Sequence, residues 1–294
     1  MVNTDTVQRW GAGGHGIPES LYVFLDERGM GAASPRPAVD LAAVAVRAGR
    51  IPAAELAELP CAVEIDDLVR VRCSGGFSFV DLCERRWPST ELPVVDAVAL
   101  PEGHEDVRAL LDLAGSRDWA VVPFGGGTSV VDGVDVTDRL TVGVAFWRMN
   151  QVHHLDPETG EVLVGPGITG PELERWLEAR GFTWGHIPQS WERATVGGYA
   201  VTRSAGQTST GYGRADATVT KLRVATPKAD FALGKAPGTA AGPDLQQVFL
   251  GSEGAFGIVT EVGLRVRPLP EKRHYEGLLF PNFAAGSRAF RELA

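Results

Sequence analysis

The sequence predicts an α+β fold, and three observations carry the prediction. From Pro93 onward, short apolar runs of strand length alternate with amphipathic stretches of helix length. The alternation is not a strict strand–helix–strand repeat, so helices should cover antiparallel and mixed strands. The 36 glycines cluster between these runs, where loops belong. With 294 residues, 44% hydrophobic and 22% charged, the chain has room for about two domains, and its composition excludes disorder, collagen and coiled coil.

Residues 1–92 read as a mainly helical N-terminal segment. Over 40–50 (DLAAVAVRAGR), Leu41 and Val44 share a face and Asp40 is a suitable N-cap. Pro52 opens a helix over 53–59. Residues 66–72 alternate as a strand or a lead-in segment. Residues 77–86 predict a helix with Phe79, Leu82 and Cys83 inward.

Residues 93–270 form the next domain. Strand 94–100 leads to an amphipathic helix over 103–116, and strand 120–123 runs into Gly125-Gly126-Gly127. Strands follow over 140–147, 151–155 and 161–164. Pro171 starts a helix over 171–179 at its first position, and Gly181 ends it. Strands 221–226 and 257–266 complete the set, with Pro268 and Pro270 closing it. A strand over 274–280 and a helix over 283–294 then begin a third unit, residues 271–294, with Leu278, Leu279, Phe280, Phe283 and Phe290 as an apolar face.

Several functions are excluded early. A net charge of −9 argues against a nucleic-acid groove. No apolar run approaches the roughly 18 residues of a membrane helix, and the amino terminus lacks a signal-peptide core. Cys61, Cys73 and Cys83 form neither a disulfide framework nor a zinc site, so a cytoplasmic protein without metal is expected. Gly11 to Gly16 match the dinucleotide pattern G-x-G-x-x-G, but no strand precedes them. The 125–129 loop lacks the Lys-Ser/Thr ending of a P-loop, no G-x-S-x-G elbow occurs, and His153-His154 lacks helical metal-pair spacing.

Three segments point to chemistry. Directly after a strand, Pro123-Phe124-Gly125-Gly126-Gly127-Thr128-Ser129 offers successive free-turning amides and two hydroxyls, more than a plain turn needs. Residues 188–213 make a long polar loop with Thr195-Val196-Gly197-Gly198, where a flat ligand could approach, and with Thr202, Ser204 and Gln207 as polar groups. Gly251-Ser252-Glu253-Gly254-Ala255-Phe256-Gly257, leading into Ile258, is either a tight connection or a third ligand loop.

In this order and spacing, PFGGGTSV, S-x-E-x-x-TVGGY, TRSAGQ, YGR-x-D, VATP, AGPDL and GSEGAFGIVTE resemble the vanillyl-alcohol-oxidase and p-cresol-methylhydroxylase-type flavoproteins. The resemblance spans roughly 93–270, and within that superfamily it is to the alkyldihydroxyacetonephosphate synthase family. Arg9-Trp10-Gly11 and Gly76-x-Ser78-x-x-Asp81-Leu82 are similar to that family's helical preface. The resemblance implies a two-subdomain FAD-binding domain of the p-cresol-methylhydroxylase type. It implies that Pro123, Phe124, Gly125, Gly126, Gly127, Thr128 and Ser129 hold the FAD pyrophosphate. Gln189, Ser190 and Thr195, with Gly197, Gly198, Thr202, Arg203, Ser204 and Ala205, would line the flavin and ribityl chain. Gly251, Ser252, Glu253, Gly254, Ala255, Phe256, Gly257 and Ile258 would flank the adenosine. Neither a histidine in the 125–129 loop nor a cysteine beside Thr195 is present to link the flavin, so noncovalent FAD is expected.

Departures from the family pattern are Gln189 for Asp, Asp132 for Gly, Gly238 for Arg and Phe256 for Leu; Asp132 would bring a negative charge near the phosphate loop if it faced inward. Arg203 either places positive charge near the flavin or makes a surface ion pair. In the family, a cap domain carries the substrate pocket and the His/Tyr acid–base groups, and the acyl group of acyl-dihydroxyacetone phosphate is exchanged for a fatty alcohol. None of the six histidines or four tyrosines stands at a cap position, so no catalytic residue is assigned. The expected partners are a small-molecule or lipid-like substrate, and a separately encoded cap domain or a second copy of the chain. The alternatives are an FAD-linked D-lactate or glycolate-type dehydrogenase, from which the chain departs in lacking an Asn-Ala-Gly-Gly stretch, and a non-catalytic flavin-binding fragment.

Overall fold

A computed structural model describes residues 19–30, 39–40, 43–136, 138–234 and 240–293. The Gly11–Gly16 match, Arg9-Trp10-Gly11 and Gly238 lie outside the described residues. The N-terminal part carries α1 (Glu19–Asp26), α2 (Ala53–Leu56), β1 (Ala62–Glu64), α3 (Asp67–Arg72) and α4 (Phe79–Arg86). Next come β2 (Ala97–Leu100), α5 (His104–Ser116), β3 (Ala120–Phe124) and β4 (Thr141–Ala145). The second half holds β5 (Val152–Asp156), β6 (Glu161–Val164), α6 (Gly170–Glu178), β7 (Phe182–Thr183), α7 (Val196–Thr202), α8 (Ser209–Tyr212) and α9 (Ala215–Thr218). It ends with β8 (Val219–Ala225), β9 (Asp230–Leu233), α10 (Gln246–Phe249), β10 (Ile258–Arg265), β11 (Arg267–Pro268) and α11 (Phe283–Leu293).

The first sheet has the order β1-β2-β4-β3, with β2, β4 and β3 parallel and β1 antiparallel at the edge. Every residue of β2 and β4 is buried, which is why these strands read as unbroken apolar runs: parallel strands are covered on both faces. One cover is α5, whose Val107, Leu110, Leu111 and Ala114 form an inward stripe at helical spacing. The opposite face packs Val95, Val98 and Phe124 against Val69 and Cys73.

The second sheet, β5-β6-β10-β8-β9, is antiparallel throughout. Helices α6 and α7 bury Leu173, Leu177, Val196 and Tyr199 in a core with its strands. Polar ties join the two halves: the buried His104 shares a 2.7 Å hydrogen bond with Thr260 Oγ1, and Arg108 donates to the Thr226 carbonyl.

Several local expectations are corrected. Residues 67–72 are helical, because Asp66 caps the turn by accepting from the amides of Leu68 and Val69. No helix is found over 44–50; Val46 instead bridges to Leu92 in parallel. The segment expected to be mainly helical contributes β1 to the sheet, paired Ala62 to Leu100. In α4, Phe79 is 82% exposed and Phe77, two residues before the helix, is the buried aromatic. The loop expected over 188–213 folds into α7 and α8, because Thr195 and tight glycine contacts start a helix that polarity alone conceals. Thr169 caps α6 with a capping box, so Pro171 stands second in that helix. Residues 274–280 form no strand and pair with no strand among the described residues; 283–293 are helical as expected. Among the described residues, no helix is long and apolar enough to cross a membrane.

Candidate functional site

The carboxyl ends of β3 and β4 meet the start of β10 and the amino-terminal half of α7. A cleft of about 810 Å³, counted to its open mouth, lies between them. Ligands of open parallel sheets bind at such carboxyl edges.

Each wall is built by close backbone approach. Gly127 has φ +64°, and a Cβ there would fall 2.2 Å from the Phe124 ring. Only glycine satisfies both demands, and the buried Phe124 backs the loop from beneath. At Gly126, a Cβ would come 2.2 Å from the Arg193 carbonyl oxygen; at Gly125, 2.4 Å from Thr195 Oγ1. The 125–127 loop thus lies directly on the 193–195 segment. Thr195 accepts from the Gly198 amide and bridges to Thr169, while the Gly197 amide donates to Pro166 O at 2.9 Å. The third segment closes the cleft: the Glu253 amide donates to Val201 O at 2.9 Å, and a Cβ on Gly254 would meet Pro123 at 2.6 Å.

A Cβ at Gly198 would meet only Thr195 Oγ1, at 3.5 Å, so this glycine leaves free space in the cleft. A wall of bare backbone with room for a flat, polyanionic ligand fits FAD. Glu253 is the one formally charged side chain among the described lining residues, so the cleft offers a diphosphate amides and hydroxyls but no cation.

The structure brings most of the sequence-derived set together. Pro123, Gly125, Gly126, Gly127, Thr128 and Ser129 line the cleft, as do Ser190, Thr195, Gly197, Gly198, Thr202 and Ser204, and Glu253, Gly254, Gly257 and Ile258. Phe124, Gln189, Arg203, Ala205, Gly251, Ser252, Ala255 and Phe256 fall outside the lining. Arg203 is a strut: its guanidinium pairs with Asp216 at 2.9 Å and donates to Leu250 O and Gln247 O, both at 3.0 Å. The Asp132 carboxylate lies with those of Asp81 and Asp135, all within 4.8 Å of one another, and is not part of the lining.

Sequence reasoning missed Gly133, Val134, Phe146, Pro166, Tyr199, Val201 and Val259. Pro166 carried a usable signal, since Gly165-Pro166-Gly167 directly follows a strand. A Cβ on Gly167 would overlap Phe146 O, so both flanking glycines serve contact between segments. Burial raises the Tyr199 phenol well above its usual range, and its hydroxyl donates to Trp191 O at 3.3 Å. Beyond it lies His186, 1% exposed, tilted against Trp184 at 4.8 Å and edge-on to Tyr199 at 5.1 Å between ring centroids, with both ring nitrogens unpartnered among the described residues. Burial lowers its pKa to about 4, so it is neutral at pH 7.

Comparison with known proteins agrees with this geometry. A family model described as an FAD binding domain matches residues 95–231. The alkyldihydroxyacetonephosphate synthase of Trypanosoma brucei brucei is 36% identical over 234 residues, covering 78% of this chain and 38% of that protein. A solved structure of an alkyldihydroxyacetonephosphate synthase superposes with a TM-score of 0.84 at 31% identity, covering 93% of this chain and 51% of that one. A mitochondrial D-lactate dehydrogenase [cytochrome] of Arabidopsis thaliana is 32% identical over 180 residues, covering 60% of this chain and 31% of that protein. The chain therefore spans about two fifths of the first of these curated relatives and half of the solved one. It has the FAD-binding fold of the vanillyl-alcohol-oxidase and p-cresol-methylhydroxylase type, with an FAD binding domain matched over residues 95–231.

Proposed function

We propose that this chain is the cofactor-binding part of a flavoprotein similar to alkyldihydroxyacetonephosphate synthase, holding FAD noncovalently in the cleft between its two sheets. The observation that supports this most is the convergence of three separate glycine segments, around 126, 198 and 254, on one cleft. In this reading the 125–129 loop holds the diphosphate through its amides and the Thr128 and Ser129 hydroxyls. The 190–204 segment lies along the flavin and ribityl chain, and Glu253 with its flanking glycines closes the adenosine end. Noncovalent binding is supported by the lining, whose described residues include neither histidine nor cysteine. When bound, the flavin supplies the electron-accepting and adduct-forming chemistry. The chain's own part is to position the cofactor and exclude water from one side of it.

Residues 93–270 act as the FAD domain, 1–92 as a preface to it, and 271–294 as the start of a cap. A cap domain, on this polypeptide or another, would supply the substrate pocket for a small or lipid-like molecule and the acid–base groups. The apolar side chains of Leu279, Phe283 and Phe290, which are 101%, 91% and 68% exposed, suit cover by such a domain or by a second copy. A cytoplasmic setting fits free thiols held inert: burial raises Cys61 to about 11 and Cys73 to about 12.

A second reading, a D-lactate or glycolate-type dehydrogenase, is favoured by the similarity to D-lactate dehydrogenase. Purified protein should be yellow and release its FAD into the supernatant on acid precipitation. Flavin that stays in the pellet contradicts noncovalent binding. Bleaching of the bound flavin by D-lactate or glycolate would favour the second reading over the first.

A further inference from the structure

The described lining of the cleft is formally neutral except at Glu253, and that charge is negative. A wall built only to hold a diphosphate has no use for an acid, which would repel the ligand. The backbone sharpens the question. Glu253 has φ +52°, in the left-handed region. Its neighbours Gly251 and Gly254, at +81° and +86°, adopt that region freely, but an L side chain there is strained. The Glu253 amide donates to Val201 O at 2.9 Å and the Gly251 amide to Ala200 O at 3.3 Å, so the turn is pinned to α7. Strain of this kind persists where the surrounding structure imposes it, and it gathers at ligand sites.

The side chain reaches across to the end of the first glycine loop. Glu253 Oε2 stands 2.6 Å from where a Cβ on Gly133 would lie, and Ser129 Oγ stands 3.4 Å from the same point. Glu253 is exposed, and among the described residues its carboxylate meets neither a hydrogen-bond donor nor a cation. Ser129 Oγ accepts from the amides of Val131 and Gly133, at 3.4 and 3.2 Å, which leaves its own hydrogen to donate. The wall thus presents donors along 125–129 and, next to their end, one carboxylate that can only accept. A nucleotide carries the complementary order: its phosphate oxygens accept, and the vicinal hydroxyls of the adjoining ribose donate.

We propose that Glu253 is a specificity residue for the adenosine half of the dinucleotide, its carboxylate accepting from the vicinal hydroxyls of the ribose. The inference rests on reading the cleft as the FAD site. Hydrogen bonds to a charged acceptor are among the stronger ones, and two of them offset the strained turn and the repulsion from the neighbouring phosphate. A ribose phosphorylated at either hydroxyl would meet like charge and be refused. The ribityl chain also carries vicinal hydroxyls. On the same reading it runs along 190–204, whereas the Glu253 carboxylate stands at the end of the 125–129 loop, beside Gly133.

The test is a titration of apoprotein, followed by flavin fluorescence, with FAD and with the two dinucleotides in which the adenosine is replaced by 2′-deoxyadenosine or 3′-deoxyadenosine. Wild type should bind FAD about five- to thirtyfold more tightly than at least one deoxy form, the loss expected when a charged acceptor is left without its donor. Glu253→Ala should bind all three within about twofold of one another, because the group that reads the hydroxyls is gone. Wild type that binds the three alike would overturn the proposal, and a weakened Glu253→Ala beside it would assign the carboxylate to the ribityl chain instead. A variant that keeps the wild-type preference would overturn it too, since another group would then read the ribose. If Glu253→Ala does not melt cooperatively, Glu253→Gly, which relaxes the left-handed turn, carries the same expectation and the same overturning results. Wild-type protein that binds no FAD would sink the cofactor reading itself, an outcome distinct from wild type that binds FAD without regard to its ribose hydroxyls.

Discussion

At Gly126 a single hydrogen atom separates a working loop from a clash. Alanine there would place a methyl 2.2 Å from Arg193 O and 2.7 Å from its carbonyl carbon, both backbone atoms that cannot rotate away. Gly126→Ala should therefore cost about 1–3 kcal/mol in stability, as overpacked sites do, and weaken FAD binding as the loop lifts; thermal melts with and without FAD check both. His186 makes a different prediction. Its folded pKa, about 4, lies below the unfolded value near 6.5, so the folded state binds fewer protons between those values. Its stability is complete above about pH 6.5 and is lost as pH falls toward 4. His186→Phe keeps a ring between Trp184 and Tyr199, and should flatten the fall in melting temperature between pH 7 and pH 5. An equally steep fall in the variant would sink this account. The sequence marked Gly126 because its neighbours are glycines. It could not mark His186, because no local pattern distinguishes a buried histidine from an exposed one.

Among the elements, the parallel strands and α5 were legible because continuous burial and a helical stripe both leave periodic traces, as Val142 and Val144 or Val107 and Leu111 illustrate. What escaped depended on partners distant in sequence. Residues 67–72 alternate like a strand, yet the Asp66 cap starts a helix. The Thr195-Val196-Gly197-Gly198 run looks like open loop, yet close contact with Pro166 folds it into α7. Among these long-range ties, Asp96 is the most exposed to test. It is 1% accessible and accepts from Arg50 Nε at 2.8 Å, Arg50 Nη2 at 2.9 Å and the Thr141 amide at 2.7 Å. Burial alone would raise its pKa, but these bonds outweigh burial and hold it below the usual range. Its contribution is therefore present above about pH 4 and lost as pH falls further. Asp96→Ala removes the ion pair to Arg50 and leaves the buried Thr141 amide without its acceptor, and should cost about 3 kcal/mol, measured by urea unfolding at pH 7, and should remove part of the acid-side slope. A loss under half that would mean that solvent reaches Arg50 easily enough to replace the pair.

Across the whole molecule, the two sheets and the three glycine segments together form a cleft that no single element could form. Most of the site was legible, because glycines needed for backbone contact stand out against ordinary composition. The residues missed, such as Phe146 and Val259, are ordinary core types whose place in the wall comes only from the fold. A ligand bound across both sheets should stabilise them together. FAD at a hundred times its Kd should add about 2.7 kcal/mol, seen as one cooperative melt shifted upward. A shift confined to one of two separate transitions would place the ligand within one half. Gly198 tests the cleft most directly, because a side chain there meets free space and only Thr195 Oγ1 at 3.5 Å. Apoprotein should be titrated with FAD by flavin fluorescence, wild type beside Gly198→Leu. Wild type should bind one FAD per chain, and the variant, melting at or near the wild-type temperature, should bind at least about tenfold more weakly, as a filled cleft requires. Equal titration of both proteins, or no binding by wild type, would contradict the assignment of this cleft to FAD.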